Sequence, residues 1–166
     1  MSKERWFTLL FFIFYSCTSD TEEGLIVSDA TILSLMQNES SFLYYKNNLD
    51  TLKADPSSPH FPFVRIRFNP KARSAMNDSL SKLTANVFPD ESMIVKEIYS
   101  GKGGTLLGYS VMYKLHNAAN NGSGWVWSEI NPDGSTAYST TNKGDQCVSC
   151  HSSNVNADLV RTFSLH

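Results

Sequence analysis

From Phe63 to Ile130 the chain runs in short strand-like stretches separated by turn residues. In "HFPFVRIRF" the alternation starts at Phe63, with Val64, Ile66 and Phe68 on one side and Phe63, Arg65 and Arg67 on the other, which is the period of a β-strand. Three more stretches follow: "SMIVKEIYS" to Ser100, "TLLGYSVMYKLH" to His116 and "WVWSEI" to Ile130, with "GKGG", "NNGSG" and "NPDGS" as turns. Connections this short exclude a parallel sheet, whose crossovers need a dozen or more residues. The expectation is an α+β fold, mainly antiparallel β: a meander with helices packed on it.

Two stretches carry helical spacing instead. Ser28 or Asp29 caps a helix with Ile32, Leu35 and Met36 on one face, and the spacing allows it to continue through Phe42, Leu43 and Leu49. Asn69 offers an N-cap and Pro70 a first helical residue for a second helix, whose Ala72, Met76, Leu80 and Leu83 share a stripe and which ends before Pro89. No internal repeat or low-complexity block interrupts this region.

The first residues are a different material. Lys3 and Arg5 precede the unbroken apolar run Trp6 to Tyr15, then Ser16 and Cys17. The run is far shorter than the roughly 20 residues a helix needs to cross a bilayer, so it reads as an export signal over 1–16. Ser16 before Cys17 resembles a bacterial lipoprotein cleavage site, although Phe14 stands where leucine is usual. Lipidation of Cys17 is the expectation, with ordinary cleavage or an uncleaved apolar helix as alternatives. Residues 17–27 then form a polar tether, and 28–166 the domain. The location expected is the periplasmic side of a bacterial membrane or the outer membrane.

A chain of 166 residues is one ordinary domain. A net charge of -2 at pH 7 offers no basic surface for nucleic acid. Charged residues are 18% of the chain, below the roughly 25% usual in globular proteins, so Ser, Thr and Asn supply much of the surface.

"GDQCVSCHSSN", Gly144 to Asn154, holds two of the three cysteines. CVSCH is the haem c attachment sequence: two thiols at this spacing reach the two vinyl groups of one porphyrin, and the adjacent His151 becomes the iron's proximal ligand. A zinc site needs further ligands, and the remaining cysteine is Cys17. A thioredoxin-like motif needs a βαβ setting, and a Cys147–Cys150 disulfide leaves His151 unexplained. His60, His116 and Met112 are candidate sixth ligands in undistinctive contexts, each more simply read as surface or core. Trp125 and Trp127 share a strand face and pack beside the cofactor or in the core.

Small electron-transfer cytochromes c are mostly helical and carry this motif near the N-terminus, whereas Cys150 lies sixteen residues from the C-terminus. The chain instead resembles the cytochrome P-460 family, which includes the β-sheet cytochromes c-prime-beta. The matching segments are "VRIRFNPKARSAM", "FPDESMIVKEIYS", "GYSVMYKL", "GWVWSEI" and "CVSCHSSNVNADLVRTF", from about His60 to Phe163. The resemblance implies an antiparallel sheet packing one face on a single haem c held by Cys147 and Cys150, with His151 on the iron and the distal side open to a small molecule. Homodimers are common in the family.

Lys96 matches the lysine that the hydroxylamine-oxidising branch bonds to the porphyrin edge. Alternation puts it on the side of Ile94 and Ile98, opposite Met93, Val95 and Glu97, where a lysine must reach water, find a partner, lose its proton or be consumed chemically. Ser110 falls where that branch carries a distal glutamate, and a serine hydroxyl is no base near neutral pH. Glu97 or Glu129 can substitute only where the fold aims one of them at the iron. In the gas-binding branch phenylalanines cap the pocket, which makes Phe61 and Phe63 the candidates. Arg65 matches an arginine near the distal pocket or a haem propionate, and Asp158 an acid in a local turn or behind the ligand. The function implied is an exported monohaem cytochrome with five-coordinate iron that oxidises or detoxifies hydroxylamine or nitric oxide and passes electrons to a partner cytochrome. The alternatives are reversible nitric-oxide binding and simple electron transfer.

Overall fold

The computed structural model describes residues 24–153 and 157–166. The stretch expected to be an export signal, Cys17 and most of the expected tether lie outside them. A seven-stranded antiparallel sheet organises the chain, with strand order β1-β3-β4-β5-β6-β7 and the short β2 pairing with β3. The strands are β1 (Leu43–Tyr44), β2 (Leu52–Lys53), β3 (Phe63–Phe68), β4 (Met93–Tyr99), β5 (Leu106–Lys114), β6 (Trp125–Ile130) and β7 (Thr136–Tyr138). β3 to β7 follow one another as a meander. Among the described residues four α-helices accompany them: α1 (Asp29–Met36), α2 (Pro70–Arg73), α3 (Val148–His151) and α4 (Thr162–Leu165). Among the described residues no helix is long and apolar enough to cross a membrane.

Alternation gives the central strands two different apolar faces. Val64, Ile66, Phe68, Ile94, Met112, Trp125 and Trp127 form the first, joined by Phe88 and Val160 and packed on by Cys147 and Val148. Met93, Val95, Val111, Val126 and Ile130 form the second, which Ile32 and Met36 of α1 cover. The first face carries the site.

Both expected helices are shorter than their apolar spacing suggests. α1 begins as anticipated, with Ser28 Oγ accepting from Thr31 N, but ends at Met36. Beyond it Phe42 is buried while Leu43 and Leu49 are 40% and 64% exposed, so the remaining spacing faces no common core. The segment forms β1 and β2 on the edge of β3 instead. α2 starts at Pro70 under the Asn69 cap and lasts four residues. Asn77 Oδ1 accepts from Ser81 N and Lys82 N, and this competing use of backbone donors ends helical pairing. The chain turns back with Leu80 at φ 51 and Met76 bridging Leu83. Ala72, Met76 and Leu80 are buried all the same, so a looped segment presents the stripe expected of a helix. β5 stops at Lys114 rather than His116, and β7 was not legible in its exposed Thr136–Ala137 step.

Arg65 and Arg67 extend from β3 toward Glu97 on β4, with Arg65 Nε 2.6 Å and Arg67 Nε 3.1 Å from its carboxylate. Arg67 also lies over the Phe42 ring, and Arg65 donates to the Tyr99 hydroxyl. Two guanidiniums sharing one buried acid keep this charge on the second face of the sheet.

Candidate haem site

The CVSCH segment folds as a single helical turn laid against β6. Gly144 makes this approach feasible: its carbonyl accepts from Cys147 N and Val148 N at 2.9 Å each, its φ is +70, and a Cβ there would overlap the Trp127 indole. Trp127 donates from Nε1 to Gly122 O at 2.9 Å and stands edge-on to the His151 ring, centroids 4.9 Å apart. Gly144→Ala therefore adds left-handed strain to a steric overlap. A stability loss of about 2 kcal/mol or more is expected in denaturant titration, together with altered Trp127 fluorescence.

His151 donates from Nδ1 to Leu159 O at 2.7 Å, because a carbonyl can only accept. Nε2 is then the unprotonated nitrogen, the tautomer a metal ligand needs. Burial holds the imidazole's pKa down to about 4, which keeps it neutral. The accepting carbonyl is itself anchored. Asp158 takes Lys114 Nζ at 2.8 Å on one oxygen and Phe88 N at 2.8 Å on the other, and its backbone carbonyl accepts from Trp125 Nε1. Asp158 and Leu159 both have positive φ, 49 and 67, the tight turn that aims the Leu159 carbonyl at the histidine.

Both thiols are free. Cys147 is half-buried and its thiol is pushed up to about 11, chiefly by burial and then by Glu129. Cys150 is exposed, with Arg161 Nη1 2.8 Å from its sulfur.

These groups border a cavity of about 260 Å³ between the first sheet face, α3, the C-terminal segment and the loop from Asp55 to His60. Lys96, Ser110 and Glu129 form one wall. They stand in register across three strands, Lys96 opposite Ser110 and Ser110 opposite Glu129. Lys96 shares its face with Ile94 and Ile98, and its amine is brought down to about 8 by burial, then by the Arg161 charge. Burial raises the pKa of Glu129. His60 enters from the loop, and burial, followed by the charges of Lys96 and His151, lowers its pKa to about 3.

The structure gathers Cys147, Cys150, His151, Lys96 and Ser110 around one cavity. It puts Arg65 elsewhere, on Glu97 behind the sheet, because strand alternation turns it away from Ile66. Phe61 is 45% exposed, Phe63 is half-buried, and neither lines the cavity. Trp125 is buried core, and Met112 borders a small adjoining space with His60 and Lys96. His116 is at the surface, 2.7 Å from Asp90. Glu97 faces away, whereas Glu129 faces in. Sequence reasoning did not single out Arg161. Its Nε is buried without a hydrogen-bond partner, as is Nδ1 of His60, and no spacing signal ties either residue to the motif.

A recessed sheet face, two free thiols, a histidine with one nitrogen committed and a guanidinium with an unsatisfied N–H are a donor set that would suit a haem: the thiols could meet its vinyls, the imidazole its iron and Arg161 a propionate. This arrangement defines a haem protein built on an antiparallel sheet. The family model described as Cytochrome P460 matches residues 45–162, and the chain belongs to that family. No curated protein matches it.

Proposed function

We propose that this protein is an exported c-type cytochrome, its single haem bonded to Cys147 and Cys150 and ligated by His151 Nε2, that takes up a small nitrogen compound, hydroxylamine or nitric oxide, in the cavity beside Lys96 and Ser110. The observation that carries this reading is the convergence of both thiols, the committed tautomer of His151 and the Lys96 amine on one cavity. When bound, haem supplies an iron that binds nitrogen ligands and exchanges electrons with them. Haem attachment takes place outside the cytoplasm, which agrees with the apolar leader and with a lipid anchor at Cys17. A partner cytochrome is the natural electron acceptor.

The chain's own residues divide the remaining work. Burial brings the Lys96 amine down to about 8, so part of it is unprotonated at neutral pH. A bond from Nζ to the porphyrin edge would replace one N–H and one ring C–H, and the two protons and two electrons released would go to an external two-electron oxidant such as a peroxide. Glu129 supplies the carboxylate that Ser110 lacks, one strand farther along the same row. A carboxyl whose pKa burial has raised is a better proton acceptor, at Oε, than an ordinary one. Ser110 Oγ can hydrogen-bond the bound molecule.

A second reading, reversible nitric-oxide binding, is favoured by the serine itself, since capture of a gas needs no base. The optical spectrum of the ferrous haem-loaded protein, with and without nitric oxide, separates the two. A strongly red-shifted main band that reverts in Lys96→Leu is the result expected for the redox enzyme. An ordinary five-coordinate high-spin spectrum that responds to nitric oxide indicates the gas-binding protein. A six-coordinate low-spin spectrum indifferent to nitric oxide overturns both.

A further inference from the structure

Among the described residues His60 is the one histidine besides His151 that borders the cavity, and its setting is unusual. It is only 9% exposed, yet Nδ1 is buried with no hydrogen-bond partner. A buried imidazole nitrogen left without a partner is costly and rare, so a partner from outside the chain is the natural way to satisfy it.

The loop that carries it is built to hold a position. Asp55 Oδ1 accepts from Ser57 N and Ser57 Oγ, Ser58 N donates to Asp55 O and Phe61 N to Ser58 O, and His60 N donates to Ser58 Oγ at 3.1 Å. Ala54 N closes the loop on Pro62 O at 2.9 Å. This network fixes the backbone of His60 and leaves its ring uncommitted. The ring shares a corner with Lys96, Ser110 and Met112, a narrow space that His151 also borders.

We propose that His60 contacts the small molecule taken up by the haem, hydrogen-bonding it through the imidazole. The proposal rests on the reading that one face of the iron is left open, since an imidazole spent on the iron would fill that place. The polarity and donors of a distal pocket decide which ligands a haem keeps, so His60 sets ligand affinity here alongside the hydroxyl of Ser110. No proton leaves or enters the chain in this role.

Carbon monoxide on the ferrous haem-loaded full-length protein is the probe, because it reports on the open position whether or not a nitrogen compound is the natural ligand. Infrared spectroscopy is expected to show the C–O stretch at higher frequency in His60→Leu than in the wild type, with His60→Gln restoring part of the shift. Carbon monoxide release from His60→Leu should be about fivefold faster, the equivalent of one lost hydrogen bond. An unchanged stretch and release rate in a haem-loaded His60→Leu overturns the proposal. So does a low-spin six-coordinate wild type that becomes high-spin in the variant, which would put the imidazole on the iron. Indifference to nitric oxide and hydroxylamine, with the carbon monoxide shift intact, removes the nitrogen-compound reading and leaves the role of His60 standing.

Discussion

Alanine at both Cys147 and Cys150 is expected to abolish covalent haem, so that a denaturing gel stained for haem shows no signal at the mass of the chain. The two cysteines stand three residues apart at the start and within the single turn of α3, a spacing that puts both side chains on the same side of the turn. Cys147 packs on the first sheet face and Cys150 opens toward Arg161. Each single variant retains one thioether and is expected to keep stained haem with a shifted haemochrome band. His151 keeps its bond to Leu159 in the double variant, so non-covalent haem is expected to bind and then separate on denaturation. Haem that remains with the double-alanine chain after denaturation would overturn the attachment at these residues, and a chain that still folds and binds haem reversibly distinguishes lost attachment from lost structure.

Asp158→Ala is the substitution expected to cost the most stability, about 3–5 kcal/mol, because it removes the acid paired with a buried ammonium. Lys114 is among the most deeply buried of the described side chains; besides pairing with Asp158 its ammonium lies over the face of Trp125, 4.8 Å away, and feels the more distant charge of Asp90. Phe88 N loses its acceptor as well. Alanine at a residue with φ 49 adds about 1 kcal/mol of left-handed strain. Denaturant titration reads the total as a lowered midpoint with an unchanged slope. The effect extends to the site: with the turn loosened, the Leu159 carbonyl no longer holds His151 Nδ1, and a shifted haem reduction potential is expected. Asp158→Asn tolerates positive φ and keeps an acceptor for Phe88 N, so it should retain more stability than alanine while still losing the charge on Lys114. A midpoint in Asp158→Ala equal to that of the wild type would show that the Lys114 pair holds nothing in place.

Glu97 illustrates why charge on this sheet resists assignment from residue type alone. It neighbours Lys96 in sequence yet belongs to the opposite face, where it serves Arg65 and Arg67. Glu129, two strands away, faces the cavity. The parity of each residue in its strand was readable; which face the cofactor would take was readable only once Lys96 and the motif were placed on the same side.

The chain's local patterns determined a good deal. Alternation from Phe63, the short turns and the Asn69–Pro70 cap marked the central strands, their antiparallel pairing and the start of α2, because these depend on a period of two, on loop length and on a single capping side chain. The CVSCH segment pointed to a haem through contiguous residues, and the family match over 45–162 agrees with a haem. Tertiary structure alone decided the rest. Helix lengths after Met36 and Arg73 were set by whether an apolar stripe had a core to meet and by Asn77 taking backbone donors, neither of which spacing records. The cavity's other walls, His60 from a loop and Arg161 from the C-terminal segment, are far from the motif or carry no periodic signal, and they join it only because antiparallel strands carry the chain back and forth across one apolar face. A site assembled from separated segments has no footprint in local sequence, since what selects its members is the direction each side chain takes after folding.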